Sequence, residues 1–276
     1  MKVEIQNVDF AYPGEDLTLH GISLTFDKPG LVCIIGPNGV GKSTLIRCIN
    51  KLLKPTGGDV LLDGKSIEEY SLKDLSKVMG YVPANSDDYF PMTVIETILM
   101  GRHPHNSWSY TDEDKKIVYD CMKMMSVEHL AMRNFGELSA GQHQRVMLAR
   151  GLAQKPDILI LDEPTANLDV RHQLLVTEIV RDLAVETGTM IIMVSHDLNV
   201  ASKYADQIVV MSTPGIVYKV GTPQDVITED TIGYVYGVRS QVIQVEGRPH
   251  VILLEAMTND EVRALHSDET IDGNGE

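Results

Sequence analysis

The stretch GPNGVGKST, Gly36 to Thr44, constrains the fold more than any other part of this 276-residue chain. It satisfies G-x-x-x-x-G-K-[ST], directly after a short apolar run rich in β-branched residues, LVCII (Leu31 to Ile35), and before an apolar-periodic segment that starts at Thr44. That succession reads as strand, loop and helix. Glycines at 36, 39 and 41 let the backbone turn so that successive N–H groups converge on phosphate oxygens. The helix that follows adds its positive end. Lys42 is placed to reach β- and γ-phosphates as a point charge, and the Ser43 hydroxyl to ligate Mg²⁺. Gly36, Pro37, Asn38, Gly39, Val40, Gly41, Lys42, Ser43 and Thr44 therefore form a candidate phosphate-binding loop.

Other buried-strand patterns follow it: DILIL (Asp157 to Leu161), MIIMV (Met190 to Val194) and QIVVM (Gln207 to Met211). Helical patterns such as RHQLLVTEIVRDLAVET lie between them, which predicts an α/β fold with a mostly parallel sheet covered on both faces. The first 30 residues and GGDVLLDGKSI alternate apolar and polar residues with turn signals, predicting an antiparallel sheet beside the main one. Strand signals vanish between Met92 and Gln154, where TVIETILMGR and DEDKKIVYDCMKMM read as amphipathic helices. Met122, Met124 and Met125 are expected there as adaptable core filler. After Gly221, SQVIQV and HVILLEA form a candidate hairpin, and TNDEVRALHSDETIDGNGE reads as a solvated acidic tail. The expected organisation is a core with its antiparallel β subdomain over 1–91 and 155–220, a helical insertion over 92–154, an accessory region over 221–254 and the tail over 255–276.

Charge and composition exclude several functions. A formal net charge of -15 argues against a nucleic-acid binder held by phosphate contacts. No apolar run reaches the roughly 20 residues needed to span a bilayer, and MKVEIQNVDF lacks a signal-peptide pattern. The expectation is a chain that neither crosses a membrane nor is exported. Cys33, Cys48 and Cys121 are odd in number, scattered and without metal-ligand spacing, so they read as reduced thiols, Cys33 inside a strand.

Three further features cluster by placement. In LILDEPTANLD, Asp162 stands at a strand's carboxyl end, placed to hold Mg²⁺ through water. Glu163 follows it and is able to orient or deprotonate a water attacking a γ-phosphate. Adjacent acids also suit an ordinary exposed turn. In ELSAGQHQRVMLARGLA, Ser139 and Gln142 have capping-box spacing. Gly141 in that first turn weakens a helix, which makes sense if backbone N–H groups must approach an anion. In MIIMVSHDLN, His196 follows another strand, on the sheet edge shared with Lys42 and Asp162. By default such a histidine is a surface residue, but ligands of open α/β sheets bind at that edge.

GPNGVGKST, LSAGQ, LILDEP, NLD and SH, in that order, resemble the ATP-binding subunits of ABC transporters over residues 2–254. The resemblance implies a P-loop NTPase (RecA-like) core that binds ATP with Mg²⁺ and hydrolyses it. It implies Tyr12 stacking on adenine, Glu163 as general base and His196 on the γ-phosphate. Asp169 would communicate across a dimer. Ser139, Ala140, Gly141 and Gln142 would meet the nucleotide held by a second copy, in an ATP-sandwich homodimer. Ala140 replaces the family's commoner glycine. MGRHPH and GTPQDVITEDTIGYVYGV resemble the subgroup that serves importers of iron-siderophores, haem and cobalamin. That implies integral-membrane permease partners, indirectly an extracytoplasmic substrate-binding protein, and a cytoplasmic position on the inner face of the membrane. His103 and His105 read as a loop facing the permease or solvent.

One position departs from the family. Its pattern YVPQ carries a glutamine whose amide contacts Mg²⁺ and the attacking water, and matching Tyr81, Val82 and Pro83 puts Ala84 there. An alanine methyl neither ligates a metal nor donates a hydrogen bond. Asn85 is adjacent, but neighbouring side chains of an extended segment point to opposite faces. A hydrolytically impaired subunit is therefore one alternative reading. A non-transport ABC ATPase of DNA repair or translation is another, although this chain has neither a long coiled-coil insertion nor tandem ATPase units.

Overall fold

The computed structural model describes residues 1–84, 91–105, 109–166 and 168–268. Strands β1 (Val3–Ala11), β2 (Leu17–Phe26) and β3 (Gly30–Ile35) lead into helix α1 (Lys42–Ile49), and β4 (Gly57–Leu62) and β5 (Lys65–Ser66) follow. Then come α2 (Leu72–Val78), β6 (Met79–Val82), α3 (Val94–Leu99), α4 (Asp112–Met124) and α5 (Ala140–Ala153). The chain returns through β7 (Ile158–Leu161), α6 (Val170–Thr187), β8 (Met190–Val194), α7 (Leu198–Tyr204), β9 (Gln207–Ser212) and β10 (Ile216–Gly221). The end consists of α8 (Pro223–Val226), α9 (Glu229–Tyr236), β11 (Val238–Val245), β12 (Arg248–Ala256) and α10 (Asn259–Asp268).

The central sheet runs β10-β9-β3-β8-β7-β6, with β10 antiparallel at one edge and its other described pairings parallel. Alternation along its strands separates two cores. Leu31, Cys33, Ile35, Leu159, Leu161, Ile191 and Met193 join the core shared with the helical insertion. Val32, Ile34, Ile158, Ile160, Ile192 and Val194 face α1 and the antiparallel sheet β2-β1-β4-β5. Strands buried on both faces have no polar alternation to show, which is why they read as continuous apolar runs. Carboxyl ends of β3, β6, β7 and β8 meet at one edge of this sheet, and their loops carry the chemistry.

Three expectations change. β6 had not been recognised as a strand, yet it pairs with β7 from Met79↔Ile158 to Val82↔Leu161. Met122 on α4 and Met125 at its C-cap, three residues apart, are buried, but Met124 is 43% exposed because residues one or two apart cannot share a helix face. The acidic segment is not simply a tail. Over Asn259–Asp268 it is the helix α10, begun by Thr258, whose backbone N–H and hydroxyl both donate to Glu261 at 2.8 Å. α10 lies against α9, near which Val262 and Leu265 approach Gly237 and Gly233.

All three cysteines are buried free thiols, and burial pushes Cys121 up to about 11. Among the described residues no helix is long and apolar enough to cross a membrane.

Candidate functional site

The loop between β3 and α1 bends as its glycines suggest. Gly36 (φ 150°), Gly39 (φ 78°) and Gly41 (φ 97°) occupy conformations that side chains disfavour. A Cβ on Gly36 would also lie 2.4 Å from the Met211 carbonyl oxygen, and one on Gly41 2.7 Å from the Leu19 side chain. α2 to α5 start under a Ser or Thr hydroxyl and α6 under Asp169. α1 starts at Gly41 with no side-chain cap, so its first N–H groups are left to a ligand. Val40 is buried beneath the turn. Lys42 is 4% exposed and donates to the carbonyls of Gly36 at 2.8 Å and Pro37 at 2.7 Å. Burial lowers its pKa, while the carboxylates of Glu163 and Asp162 oppose that shift.

Asp162 follows β7 and is nearly inaccessible, at 1% exposure. Its N–H donates to the Val82 carbonyl at 2.9 Å, which ties its backbone to β6. Ser43 donates to its Oδ1 at 2.8 Å. The other oxygen, Oδ2, accepts from the Tyr81 hydroxyl at 3.2 Å and lies 3.7 Å from the Arg47 guanidinium. A hydroxyl and a carboxylate oxygen at hydrogen-bond distance, beside a phosphate loop, are the hard oxygen donors that Mg²⁺ prefers. The residues present therefore fit the metal. Burial pushes the Tyr81 phenol up, against the hydrogen bond from Arg47, so it remains a donor at neutral pH.

Glu163 has φ 50°, in the left-handed region, which re-aims its side chain out of the strand direction. Its Oε1 lies 2.5 Å from His196 Nε2. His196 is carried past β8, whose exit is held by the Ser195 N–H donating to the Ile34 carbonyl at 3.1 Å. Tyr12 meets Phe10 edge-on at 4.9 Å and contacts Thr44 Oγ1 through its hydroxyl at 3.2 Å. Tyr12, Asn38, Gly39, Gly41, Lys42, Ser43, Thr44, Glu163 and His196 all line one cleft of about 580 Å³.

The structure thus brings together the cleft residues expected from the sequence, with Asp162 behind Ser43. It also adds Glu15 and Thr18 to the lining, and Arg47 and Tyr81 behind the carboxylate. Glu15, Thr18 and Arg47 belong to no motif, and Tyr81 entered the YVPQ pattern only to align Ala84. Their only signal was sequence proximity to residues already singled out.

The remaining candidates lie outside this cleft. Ser139 and Gln142 form the expected capping box at the start of α5, with the Ser139 N–H donating to Gln142 Oε1 at 3.1 Å. Among the described residues a Cβ on Gly141 would meet only Leu168, at an ordinary 3.5 Å, so none of them demands a glycine there. Ala140 beside it is exposed. Asp169 caps α6 and pairs with His172 Nδ1 at 2.7 Å. The His172 backbone N–H, then its side chain, holds the Asp169 carboxyl below the usual range. Ala84 is half-buried just beyond β6, while Asn85 lies outside the described residues. His105 contacts the Gln154 carbonyl at 2.8 Å, and the His103 ring meets Tyr110 edge-on.

The sequence profile of the ABC transporter family matches residues 19–166. The chain is 39% identical over 242 residues to the cobalamin import ATP-binding protein BtuD of Halobacterium salinarum, covering 88% of this chain and 60% of that one. It is 38% identical over 248 residues to the hemin import ATP-binding protein HmuV of Escherichia coli O157:H7, covering 88% and 94% respectively. Among solved structures, a dimeric bacterial ABC transporter cassette, MJ0796, superposes with a TM-score of 0.72 at 30% identity, over 80% of this chain and 98% of that one. With its phosphate loop, Glu163 and His196 in one cleft and Asp162 behind Ser43, the chain belongs to the ABC transporter family as one of its ATPases.

Proposed function

We propose that this protein is the ATP-hydrolysing subunit of an importer for a metal chelate of the iron-siderophore, haem or cobalamin type. In this reading two copies sandwich two ATP molecules head to tail, on the cytoplasmic face of the membrane, against integral-membrane permease subunits. An extracytoplasmic substrate-binding protein delivers the chelate. One observation carries the reading. The cleft gathers Lys42, Ser43, Glu163 and His196 in one chain, while the signature turn Ser139–Gln142 lies outside it with a glycine that no contact among the described residues requires. An isologous pair gives that turn an anion to approach. The names of the cobalamin and hemin relatives support the substrate class.

The chemistry follows from the geometry. Lys42 exchanges the carbonyls of Gly36 and Pro37 for β- and γ-phosphate oxygens. Glu163 accepts the proton of the attacking water, and His196 contacts the γ-phosphate and keeps Glu163 in place. Ser43 and Asp162 would hold Mg²⁺, which supplies charge neutralisation on the phosphates. Closure of the pair is driven by the difference in nucleotide affinity between closed and open states.

Ala84 sets the rate. A glutamine amide there would add one transition-state contact of roughly 1–3 kcal/mol. The change Ala84→Gln is expected to raise steady-state turnover by about 5- to 150-fold with nucleotide affinity unchanged. A flat response, measured by phosphate release, removes the impaired-hydrolysis reading. Copurification of the chain with a polytopic membrane protein tests the transport assignment. Association instead with nucleic acid or the translation machinery sinks it.

A further inference from the structure

We propose that Tyr81 is the positioning residue for the Mg²⁺-facing carboxylate, holding Asp162 from behind so that Oδ1 alone faces the phosphate loop. The inference rests on the reading of Ser43 and Asp162 as the metal site. A carboxylate has two equivalent oxygens, and a free one swings between them. Here they are made unlike. Oδ1 takes the Ser43 hydroxyl at 2.8 Å, and Oδ2 takes the Tyr81 hydroxyl at 3.2 Å with Arg47 at 3.7 Å. Arg47 is four residues after Ser43 on α1, so both reach Asp162 from one helix face.

The backbone makes the arrangement stiff. β6 pairs Tyr81 with Ile160 and Val82 with Leu161, and the next bond in that ladder is Asp162 N–H to the Val82 carbonyl at 2.9 Å. Tyr81 and Asp162 therefore stand at a fixed offset on neighbouring strands. The Tyr81 ring packs against the core beneath α1. Arg47 supplies charge from a 43% exposed side chain, whereas Tyr81 supplies direction from a packed one. Three residues beyond Tyr81 stands Ala84, which offers neither ligand nor donor. On this stretch of chain the orientation of the carboxylate falls to the tyrosine.

The test uses the full chain and a fluorescent ATP analogue, titrated in EDTA and then across a range of Mg²⁺ concentrations. Tyr81→Phe removes one hydroxyl and keeps the ring. It is expected to leave affinity in EDTA and the melting midpoint unchanged. The Mg²⁺ concentration that half-saturates the metal effect should rise by about 10-fold, as for loss of one hydrogen bond to a charged group. An unchanged Mg²⁺ requirement in Tyr81→Phe, beside a Mg²⁺-responsive parent, overturns the positioning role and leaves the proposed function standing. Equal losses in EDTA and Mg²⁺ mean a structural role, and they overturn it too. A parent chain that binds no nucleotide, or binds it without regard to Mg²⁺, overturns both readings.

Discussion

Replacing Glu163 with glutamine is expected to lower ATP hydrolysis by about 10²- to 10⁴-fold, the usual worth of a positioned general base, with nucleotide affinity preserved. Glutamine is isosteric with glutamate and still accepts a hydrogen bond, so the 2.5 Å contact to His196 can persist in altered form. What it cannot do is take a proton from water. In the proposed mechanism that task falls to Glu163. Its side chain is only 25% exposed and lines the same cleft as Lys42. Its φ of 50° is an unfavourable conformation for a residue with a Cβ, and such strain tends to be kept where a side chain must be aimed. Single-turnover conversion of pre-bound ATP to ADP in acid-quenched samples measures the effect without interference from product release. If Glu163→Gln turns over as fast as the parent, Glu163 is an acid of an ordinary turn and the proton acceptor lies elsewhere. If binding falls together with hydrolysis, its charge acts on the loop through Lys42, whose pKa the Glu163 carboxylate raises against burial.

What could be read in the sequence was whatever local spacing enforces. The phosphate loop, the carboxylates after β7, the histidine after β8 and the box at Ser139 each depend on neighbours within a few positions. β6 was missed because its four residues, MGYV, include a glycine and a tyrosine and follow a helix without a turn residue. Its strand character comes from pairing with β7, nearly eighty positions away. Tyr81 and Arg47 were missed for the same reason: their meeting with Asp162 is a tertiary event that no periodicity announces. In α10 the box from Thr258 to Glu261 went unread, and the acidic residues around it hid Val262 and Leu265, which dock on α9. Tyr12 was placed only by the family resemblance. Its position in the cleft arises because β1 ends beside α1, where its hydroxyl meets Thr44.

Arg102→Leu is expected to destabilise the protein by about 3 kcal/mol, the lower end for breaking a buried ion pair by removing one partner. Arg102 is 8% exposed and Asp114 3%, with Arg102 Nε donating to Asp114 Oδ1 at 2.8 Å. Asp114 does a second task, as its other oxygen accepts from the Thr111 hydroxyl at 2.6 Å and the Thr111 N–H at 2.9 Å to begin α4. Arg102 Nη1 also donates to the carbonyl of Ala153, the last residue of α5, at 2.8 Å. Leucine would remove a cation from that helix end and the counter-charge that Arg102 gives a buried carboxylate. The position matters because Gln154, next in the chain, donates to the Met79 carbonyl at the start of β6 at 2.9 Å. Gln154 fastens the helical insertion to the ATPase sheet, while Arg102 ties α4 to the end of α5 within the insertion, at the opposite end of α5 from Ser139. A melting midpoint lower by about 6–12 °C follows from the usual scaling for chains of this size. The double variant Arg102→Leu/Asp114→Asn should recover part of the loss, since asparagine still accepts from Thr111 and carries no charge to strand. ATPase activity, which in the proposed dimer needs Ser139 held at a fixed distance from the partner's nucleotide, should fall further than nucleotide affinity, which depends on the untouched loop Gly36–Thr44. A stability change below about 1 kcal/mol would mean the pair behaves as an exposed one.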